Sequence, residues 1–248
     1  LQKKYKFKII EDAACGFGSY INKKHVGKFG ITGCFSFHPR KAITTGEGGM
    51  VTTQDSKLAK KLIALRDHGA KLNDLVRHKS NKPYVLSDHV EAGYNFRLTD
   101  IQAAIAIDQI LLSNKIIKDK KKIADFYNKK LKKISWLKLP KVKKNLRHGY
   151  QSYVCLFEPE KITKENINKI RLKRNKFMDY LHNKGISTRP GTHAVHMLNY
   201  YKEKYKIKPN DFFKARVAND CSISIPIYSN MKKSELNYIV KIINKYEN

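Results

Sequence analysis

Short apolar runs separated by glycine-rich turns make up the first part of the chain. Residues 7–10 are mostly apolar and lead into Asp12, residues 33–37 form a second run that stops before Pro39, and residues 48–53 form a third. Short apolar runs bounded by turn residues predict buried strands. An acidic residue at the carboxyl end of a strand stands where open α/β sheets place their chemistry.

Two helices are predicted from caps and from the spacing of apolar side chains. Asp55 or Ser56 can cap a helix with regularly spaced leucines, and Gly69 stands where a helix commonly ends. A Thr99-x-x-Gln capping box opens a stretch that contains no Gly or Pro before Pro140 and has isoleucines near one face. This stretch predicts a long helix that bridges two lobes.

Strand and helix patterns alternate after Pro140, as in a compact α/β domain. The predicted strands are residues 153–157, 186–189 and 222–225, and the predicted helices are residues 163–183 and an amphipathic segment with Leu236, Ile239, Val240 and Ile243 on one face. We therefore divide the chain into two α/β domains, residues 1–112 and residues 113–248.

The chain is strongly basic, with 51 Lys plus Arg against 21 Asp plus Glu and a formal net charge of +30. Such a balance points first to a nucleic-acid partner. Only nine of the basic residues are Arg, however, and the chain is also rich in Ile and Asn, so A/T-rich codons explain the lysine excess. In the densest basic run, residues 115–147, the charges are scattered round a helix without interleaved aromatic side chains for base stacking. We therefore expect no nucleic-acid partner.

The sequence contains no stretch of about 20 uninterrupted apolar residues and no charged-then-apolar start typical of a signal peptide. Cys15, Cys34, Cys155 and Cys221 are too far apart for a zinc site or a disulfide framework. We expect a soluble, cytoplasmic protein with no structural metal and no membrane partner. Because the chain starts at Leu1 rather than Met, we also expect it to be a piece of something longer.

Three residues at the ends of predicted strands, Asp12, Ser36 and Lys41, carry the candidate chemistry. Taken singly, a lysine is usually solvated surface and a strand-end aspartate is often a turn or helix cap. Together they match the needs of pyridoxal phosphate, which takes a lysine for its aldehyde, a carboxylate for its pyridine nitrogen and hydroxyl or backbone donors for its phosphate. Partial burial and neighbouring cations would free the lysine amine as a nucleophile.

Five segments carry a resemblance to a known family, in the order in which the family has them: residues 10–14, 34–41, 45–49, 93–104 and 189–196. In these segments the chain resembles the DegT/DnrJ/EryC1/StrS sugar aminotransferases. The resemblance implies an α/β fold of the aspartate aminotransferase type, fold type I of the pyridoxal phosphate-dependent transferases. Residues 1–112 would then be the C-terminal part of the large cofactor-binding domain, and residues 113–248 the small C-terminal domain. The family's N-terminal portion has no counterpart in the chain, so we expect an N-terminally truncated member with an incomplete large domain.

The resemblance implies a cofactor site made of Asp12, Cys15, Ser36, Lys41 and Asn95. Lys41 would hold the cofactor aldehyde and then carry a proton between the substrate carbon and the cofactor carbon. Asp12 would pair with the pyridine nitrogen, and Ser36 would bind the phosphate. Asn95 would reach the phosphate in the neighbouring subunit's site, which implies a homodimer. Cys15 stands where the family often has Gln or His, and a thiol is a poorer partner for the cofactor's phenolic oxygen.

The resemblance also implies an activity and its substrates. Arg189, His193 and His196 would contact a nucleotide-linked keto-sugar, expected to be a 4-keto-6-deoxy sugar, and glutamate is the expected amino donor. For the two histidines a buried, hydrogen-bonded loop is an equally open interpretation. The expected destination of the product is a surface polysaccharide or glycan.

Lys41 argues against the related sugar dehydratases, which have His at this position. Two other hypotheses stay open, a non-catalytic truncated remnant of such an enzyme and, less favoured, a basic nucleic-acid-binding protein. A remnant predicts that Lys41 takes up no cofactor, and a nucleic-acid binder predicts an affinity that falls steeply with salt.

Overall fold

The computed structural model describes residues 1–71, 84 and 86–247. Its elements in chain order are α1 (Gln2–Tyr5), β1 (Ile10–Asp12), β2 (Tyr20–Ile21), β3 (Lys24–His25), β4 (Thr32–Ser36), β5 (Gly49–Thr52), α2 (Ser56–Arg66), α3 (Asp100–Leu131), β6 (Leu137–Lys138), β7 (Leu146–Arg147), β8 (Tyr153–Phe157), α4 (Ile167–Asn183), α5 (Asn199–Tyr205), α6 (Phe213–Cys221), β9 (Ser222–Ile225) and α7 (Lys233–Asn244). Within the described residues, no helix combines the length and the apolar character needed to cross a bilayer.

The chain separates into two compact units. The first unit is Leu1–Asn114 with Asn145–Arg147, and the second is Lys115–Lys144 with His148–Asn248. The sequence analysis put the division after residue 112. The assignment of the two stretches to a large and a small domain stays a prediction.

In the first unit, β4 is the central strand of a three-stranded mixed sheet. It pairs in parallel with β1, where Asp12 lies opposite Cys34, and antiparallel with β5, where Ser36 lies opposite Gly49. Because β1 and β4 are parallel, their carboxyl ends lie at the same edge of the sheet. A second small sheet has the order β3-β2-β7, and its two-residue strands are too short to show a pattern in the sequence.

A close backbone approach explains one glycine of β4. A Cβ added at Gly33 would lie 2.3 Å from the Cα of Gly27, which leaves no room for a side chain. The same loop is tied to the sheet by Thr52, whose hydroxyl donates to the Gly27 carbonyl at 3.1 Å. Gly33 therefore lets the loop after β3 pack directly on the sheet.

The structure of the first unit corrects one predicted strand and confirms one predicted helix cap. The predicted strand at residues 7–10 was wrong in position, because pairing with β4 begins only at Ile10 and continues to Asp12. Phe7 is exposed and has no partner strand among the described residues. The predicted cap of α2 is confirmed, since Oδ1 of Asp55 accepts hydrogen bonds from the N–H groups of Lys57 and Leu58.

The second unit is an antiparallel sheet with helices packed on it. Its strand order is β6-β8-β9, and α4 and α6 contact the sheet. Its largest fully buried aromatic side chains are Tyr127, Tyr153, Phe157 and Phe177. The single tryptophan, Trp136, packs between the rings of Phe157 and Phe177 at centroid distances of 5.3 and 5.0 Å. This aromatic core holds the end of α3 against β8.

Two predictions for the second unit were wrong in detail. Residues 186–189 do not form a strand, because only Arg189 pairs, with Ser224, and Pro190 has no N–H to continue a ladder. The helix predicted at 163–183 begins later, at Ile167, since Thr163 and Asn166 exchange side-chain hydrogen bonds in a turn before it. Helices α5 and α6 were not predicted.

Candidate active site

The parallel pair β1/β4 brings two loops to one edge of the sheet. Asp12 is the last residue of β1, and Ser36 is the last residue of β4. Because parallel strands end at the same edge, the residues that follow the two strands are neighbours there. Asp12 is exposed, and its Oδ1 accepts a hydrogen bond from the N–H of Ala14 at 3.1 Å. The carboxylate thus shapes the turn after β1 while it faces solvent.

Lys41 lies in the loop between β4 and β5, which backbone hydrogen bonds close. The N–H of Phe37 donates to the Gly48 carbonyl at 2.9 Å, and the N–H of Lys41 donates to the His38 carbonyl at 2.9 Å. The Ile43 side chain anchors the loop and is only 2% exposed. The loop therefore holds the half-buried Lys41 on an ordered backbone beside the sheet edge.

The Lys41 amine contacts the turn after β1. Its Nζ lies 3.0 Å from Sγ of Cys15, a contact that the sequence analysis did not predict. Ser36 is half-buried, and its Oγ accepts a hydrogen bond from the N–H of His38 at 3.3 Å, which does not use the hydroxyl proton. Asp12, Cys15, Ser36 and Lys41 thus lie on the same edge of one sheet.

Glu11 is a structural carboxylate that the sequence analysis did not single out. Its Oε1 accepts hydrogen bonds from Phe29 and Gly30 at 2.5 and 2.7 Å, and its Oε2 accepts one from Gly27 at 2.7 Å. Burial would raise the pKa of Glu11, but these backbone donors and the ammonium of Lys24 outweigh it, so the pKa is lowered. Strand alternation is the signal that could have separated its role from that of its neighbour, because adjacent residues point to opposite faces.

Asn95 is the fifth predicted cofactor residue, and its contacts are with residues outside this sheet edge. It is exposed and bridges Asp67 through the backbone. The flanking rings of Tyr94 and Phe96 stack on each other at 4.9 Å, and both are exposed, by 59% and 69%. Within the described part of the chain, no hydrogen bond joins the Asn95 side chain to Lys41 or its neighbours.

The three predicted substrate contacts belong to the second unit. Arg189 is exposed and exchanges backbone hydrogen bonds with Ser224 at 3.2 and 2.7 Å. It lines a cleft of about 190 Å³ whose polar walls include Ser152 and Ser187. His193 is exposed on the loop that follows. Because an arginine and serines are among its lining residues, this cleft is chemically suitable for an anionic or hydroxylated group.

The surroundings of His196 agree with the interpretation that it is a buried, hydrogen-bonded loop residue. It is only 7% exposed, and its Nε2 lies 3.1 Å from the Pro209 carbonyl, to which it donates in the matching tautomer. The ring also packs on Phe212, with centroids 5.2 Å apart. A substrate role for His196 would need this contact to open, so His193 is the better placed of the two histidines.

Residues of α6 and β9 hold the loop that carries these histidines. The N–H of Ala194 donates to Oδ1 of Asn219 at 3.0 Å, and the N–H of Gly191 donates to Oγ of Ser222 at 3.1 Å. Asn219 is fixed in turn by the buried Asp220, whose Oδ1 accepts from its Nδ2 at 2.9 Å. The sequence analysis missed this support because no helix was predicted there.

A model of the DegT/DnrJ/EryC1/StrS aminotransferase family matches residues 1–244. The chain belongs to this family. It is 32% identical to the GDP-perosamine synthase of Escherichia coli O157:H7, with 96% of the chain and 58% of that protein covered. It is also 32% identical to the UDP-4-amino-4,6-dideoxy-N-acetyl-beta-L-altrosamine transaminase of Campylobacter jejuni, again over 96% of the chain and 58% of that protein. The chain thus spans 58% of the length of these curated relatives.

Solved structures of sugar aminotransferases have the same fold as this member of the DegT/DnrJ/EryC1/StrS family. Helicobacter pylori PseC, an aminotransferase involved in the biosynthesis of pseudoaminic acid, matches with a TM-score of 0.83 at 24% identity, over 98% of the chain and 60% of that protein. The PLP-form of the sugar aminotransferase Spr1654 from Streptococcus pneumoniae matches with a TM-score of 0.81 at 21% identity, over 97% and 58%. The predicted family and the predicted fold class are confirmed.

The residues at the β1/β4 edge fit the cofactor of such a fold. A carboxylate, a hydroxyl and a primary amine are the three chemical groups that pyridoxal phosphate needs for its pyridine nitrogen, its phosphate and its aldehyde. Asp12, Ser36 and Lys41 supply one of each at this edge. In the described part of the chain, no three His, Cys, Asp or Glu side chains form a group that could hold a metal ion.

Proposed function

We propose that this protein is a pyridoxal phosphate-dependent aminotransferase that aminates a keto-sugar carried on a nucleotide. The observation that supports this most directly is the common edge of β1 and β4, which carries Asp12, Ser36 and Lys41. When bound, the cofactor supplies an electron sink for the negative charge that develops on the substrate carbon. The residues of the chain bind the cofactor, orient it and move protons.

Each residue at the edge has a distinct part in this proposal. Lys41 holds the cofactor aldehyde through Nζ and afterwards carries a proton between the substrate and cofactor carbons. Asp12 keeps the pyridine nitrogen protonated through its exposed carboxylate, and Ser36 donates its hydroxyl proton to the phosphate. Asn95 reaches the cofactor phosphate in the partner subunit's site, so that the active form is a homodimer.

The proposed acceptor is a 4-keto-6-deoxy sugar on a nucleotide, and the proposed donor is glutamate. The Campylobacter jejuni relative is named for a 4-amino-4,6-dideoxy sugar linked to UDP, and this supports amination at that carbon. Arg189 and His193 are the proposed contacts for the nucleotide-sugar, since a diphosphate is an anion that a guanidinium binds well. We place the reaction in the cytoplasm, on the way to a surface polysaccharide or glycan.

The first test is cofactor uptake followed by absorbance. Pyridoxal phosphate added to the wild-type protein should give a visible band of lysine-bound cofactor, and Lys41→Ala should abolish it. Lys28→Ala is the matched control, because Lys28 is an exposed lysine of the same unit and should leave the band unchanged. Glutamate added to the loaded protein should then bleach the band and release 2-oxoglutarate.

The two alternative hypotheses predict different results. A non-catalytic remnant would give the same spectrum for wild type and Lys41→Ala, and that outcome would overturn the proposal. A nucleic-acid binder would retain DNA or RNA at low salt and lose it steeply as salt rises. Absence of retention at low salt would eliminate this second alternative.

A further inference from the structure

In the described residues, the Lys41 amine donates a hydrogen bond to the side chain of Cys15. Nζ lies 3.0 Å from Sγ, and no carboxylate in that part of the chain lies within 4.0 Å of Nζ. Two acidic residues of the same unit make their contacts with other groups. Asp12 binds the N–H of Ala14, and Glu47 lies 3.9 Å from His38. The Cys15 sulfur is therefore the side-chain atom that accepts the hydrogen bond from the Lys41 amine.

The sulfur side of this contact is attached to an ordered turn. The N–H of Ala13 donates to the Cys34 carbonyl at 2.9 Å, and the N–H of Gly16 donates to the Ala13 carbonyl at 2.8 Å. The side chain of Ala13 is buried, and Gly16 packs so closely on Val26 that an added Cβ would lie 2.8 Å from it. The residues before and after Cys15 in this turn are therefore both held in place, Ala13 by the sheet and Gly16 by Val26.

The lysine side of the contact is the flexible one. A lysine side chain has four methylene groups, so an ordered loop backbone alone leaves its amine with many positions. A carboxylate in the place of the sulfur would hold the charged ammonium strongly. A thiol is a weak acceptor, so it can hold the amine and still release it to an incoming carbonyl group.

We propose that Cys15 is a positioning residue for Lys41: its sulfur holds Nζ at the β1/β4 edge, beside Asp12 and Ser36, before the cofactor arrives. This inference rests on the proposed function, because it assigns Lys41 to the capture of an aldehyde. It gives Cys15 a partner within the chain instead of the cofactor's phenolic oxygen. The expected consequence is faster capture of an aldehyde by Lys41.

The contact itself can be tested without the cofactor by ortho-phthalaldehyde. One molecule of this dialdehyde condenses with one amine and one adjacent thiol to give a fluorescent isoindole and two molecules of water. We expect fluorescence in the wild-type protein that is lost in Cys15→Ser and in Lys41→Met. Cys34→Ser and Lys28→Met are the controls and should keep it. Unchanged fluorescence in Cys15→Ser would overturn the inference.

The two other cysteines are poor competitors in this test. Burial raises the pKa of the Cys155 thiol to about 12 and that of Cys221 to about 11. Both side chains are also buried in the core of the second unit, whereas Cys15 is exposed. A signal that is lost both in Cys15→Ser and in Lys41→Met therefore reports the contact between these two residues.

The positioning role is tested by the rate at which pyridoxal phosphate labels Lys41, with borohydride trapping and peptide mass spectrometry. Because one weak hydrogen bond is lost, Lys41 should be labelled about two- to tenfold more slowly in Cys15→Ala than in the wild-type protein. Cys15→Ser keeps an acceptor and should recover most of the rate, and Cys34→Ala should match wild type. Thermal unfolding of each variant checks that the fold is intact.

The outcomes of the labelling experiment separate this inference from the proposed function. If Lys41 is not labelled faster than Lys28 in the wild-type protein, the proposed function is wrong. If Lys41 is labelled selectively but equally fast in wild type and Cys15→Ala, the proposed function stands and the positioning role is overturned. Slower labelling in Cys15→Ala with recovery in Cys15→Ser supports both.

Discussion

At the scale of single residues, two adjacent carboxylates at the end of β1 have different roles. Asp12 faces solvent at the sheet edge, where the proposed cofactor would meet it. Glu11 points to the other side and binds three backbone N–H groups of residues 27–30. This clamp joins the loop before β4 to β1, and so it supports the strand pair on which the candidate site is built.

The Glu11 clamp predicts a pH-dependent stability. Because the native pKa of Glu11 is lowered from its ordinary value of 4.5, the charged form stabilises the fold at pH values above that value. This contribution is lost as the pH falls through the lowered native pKa. At neutral pH, Glu11→Gln should lower the free energy of unfolding by about 1–2 kcal/mol, since the amide replaces a charged acceptor that is partly open to solvent.

Urea denaturation at pH 7 and at pH 3 checks this prediction. The difference between wild type and Glu11→Gln should shrink at the lower pH, where the wild-type carboxyl is itself being protonated. Glu47→Gln is the matched control, because the Glu47 side chain is 76% exposed and should change stability little at either pH. A difference that stays constant between the two pH values would contradict the clamp.

At the scale of elements, α6 supports the loop that carries His193 and His196. The buried Arg216 of this helix binds Asp220 at 3.2 Å and Asn168 at 2.8 Å, which ties α6 to the first turn of α4. Asn219 then accepts the Ala194 N–H from the loop. The loop is therefore held by a helix that belongs to the core of the second unit.

This support predicts an effect of Asn219→Ala on the loop. The substitution leaves the Ala194 N–H without its acceptor, and we expect a loss of about 1–2 kcal/mol in stability and faster exchange of that amide. Hydrogen exchange followed by mass spectrometry over residues 189–198 provides the measurement. Asn183→Ala, at the exposed end of α4, is the control. Equal exchange in wild type and Asn219→Ala would show that the loop is held by other contacts.

At the scale of the whole molecule, the first unit carries large exposed apolar side chains beside Asn95. Tyr94 and Phe96 flank it in the chain and their exposed rings stack on each other. Ile101, further along the chain on the first turn of α3, is also 76% exposed. Clusters of exposed aromatic and aliphatic side chains are typical of protein interfaces. They support the proposal that Asn95 acts across a homodimer.

The proposed homodimer predicts a change of mass in one surface variant. Phe96→Glu places a charge in the apolar cluster, and it should convert the protein from dimer to monomer in light scattering at micromolar concentration. Tyr200→Glu is the control, because Tyr200 is a similarly exposed aromatic residue, 61% exposed, in the second unit. A monomeric wild type, or a Phe96→Glu variant that stays dimeric, would contradict this interface.

The sequence by itself determined the elements whose signals are local. The Asp55 cap, the long α3 and the strands β4, β8 and β9 were all predicted from caps, periodicity and breakers within a few residues. The family was recognised from five short motifs in order, and the comparison over residues 1–244 confirmed it. Local signals suffice for these features because a cap or an apolar period acts within one element.

Only the tertiary structure decided which side chains meet. Strand β1 begins at Ile10 because Ile10 lies opposite Thr32, the first residue of its partner strand β4. Arg189 forms an isolated bridge with Ser224 and does not continue into a strand. The contact of Cys15 with Lys41 joins residues 26 positions apart, and it exists because a parallel register puts the ends of two strands at one edge. Register and long-range packing depend on all the elements together, so no short stretch of the sequence encodes them.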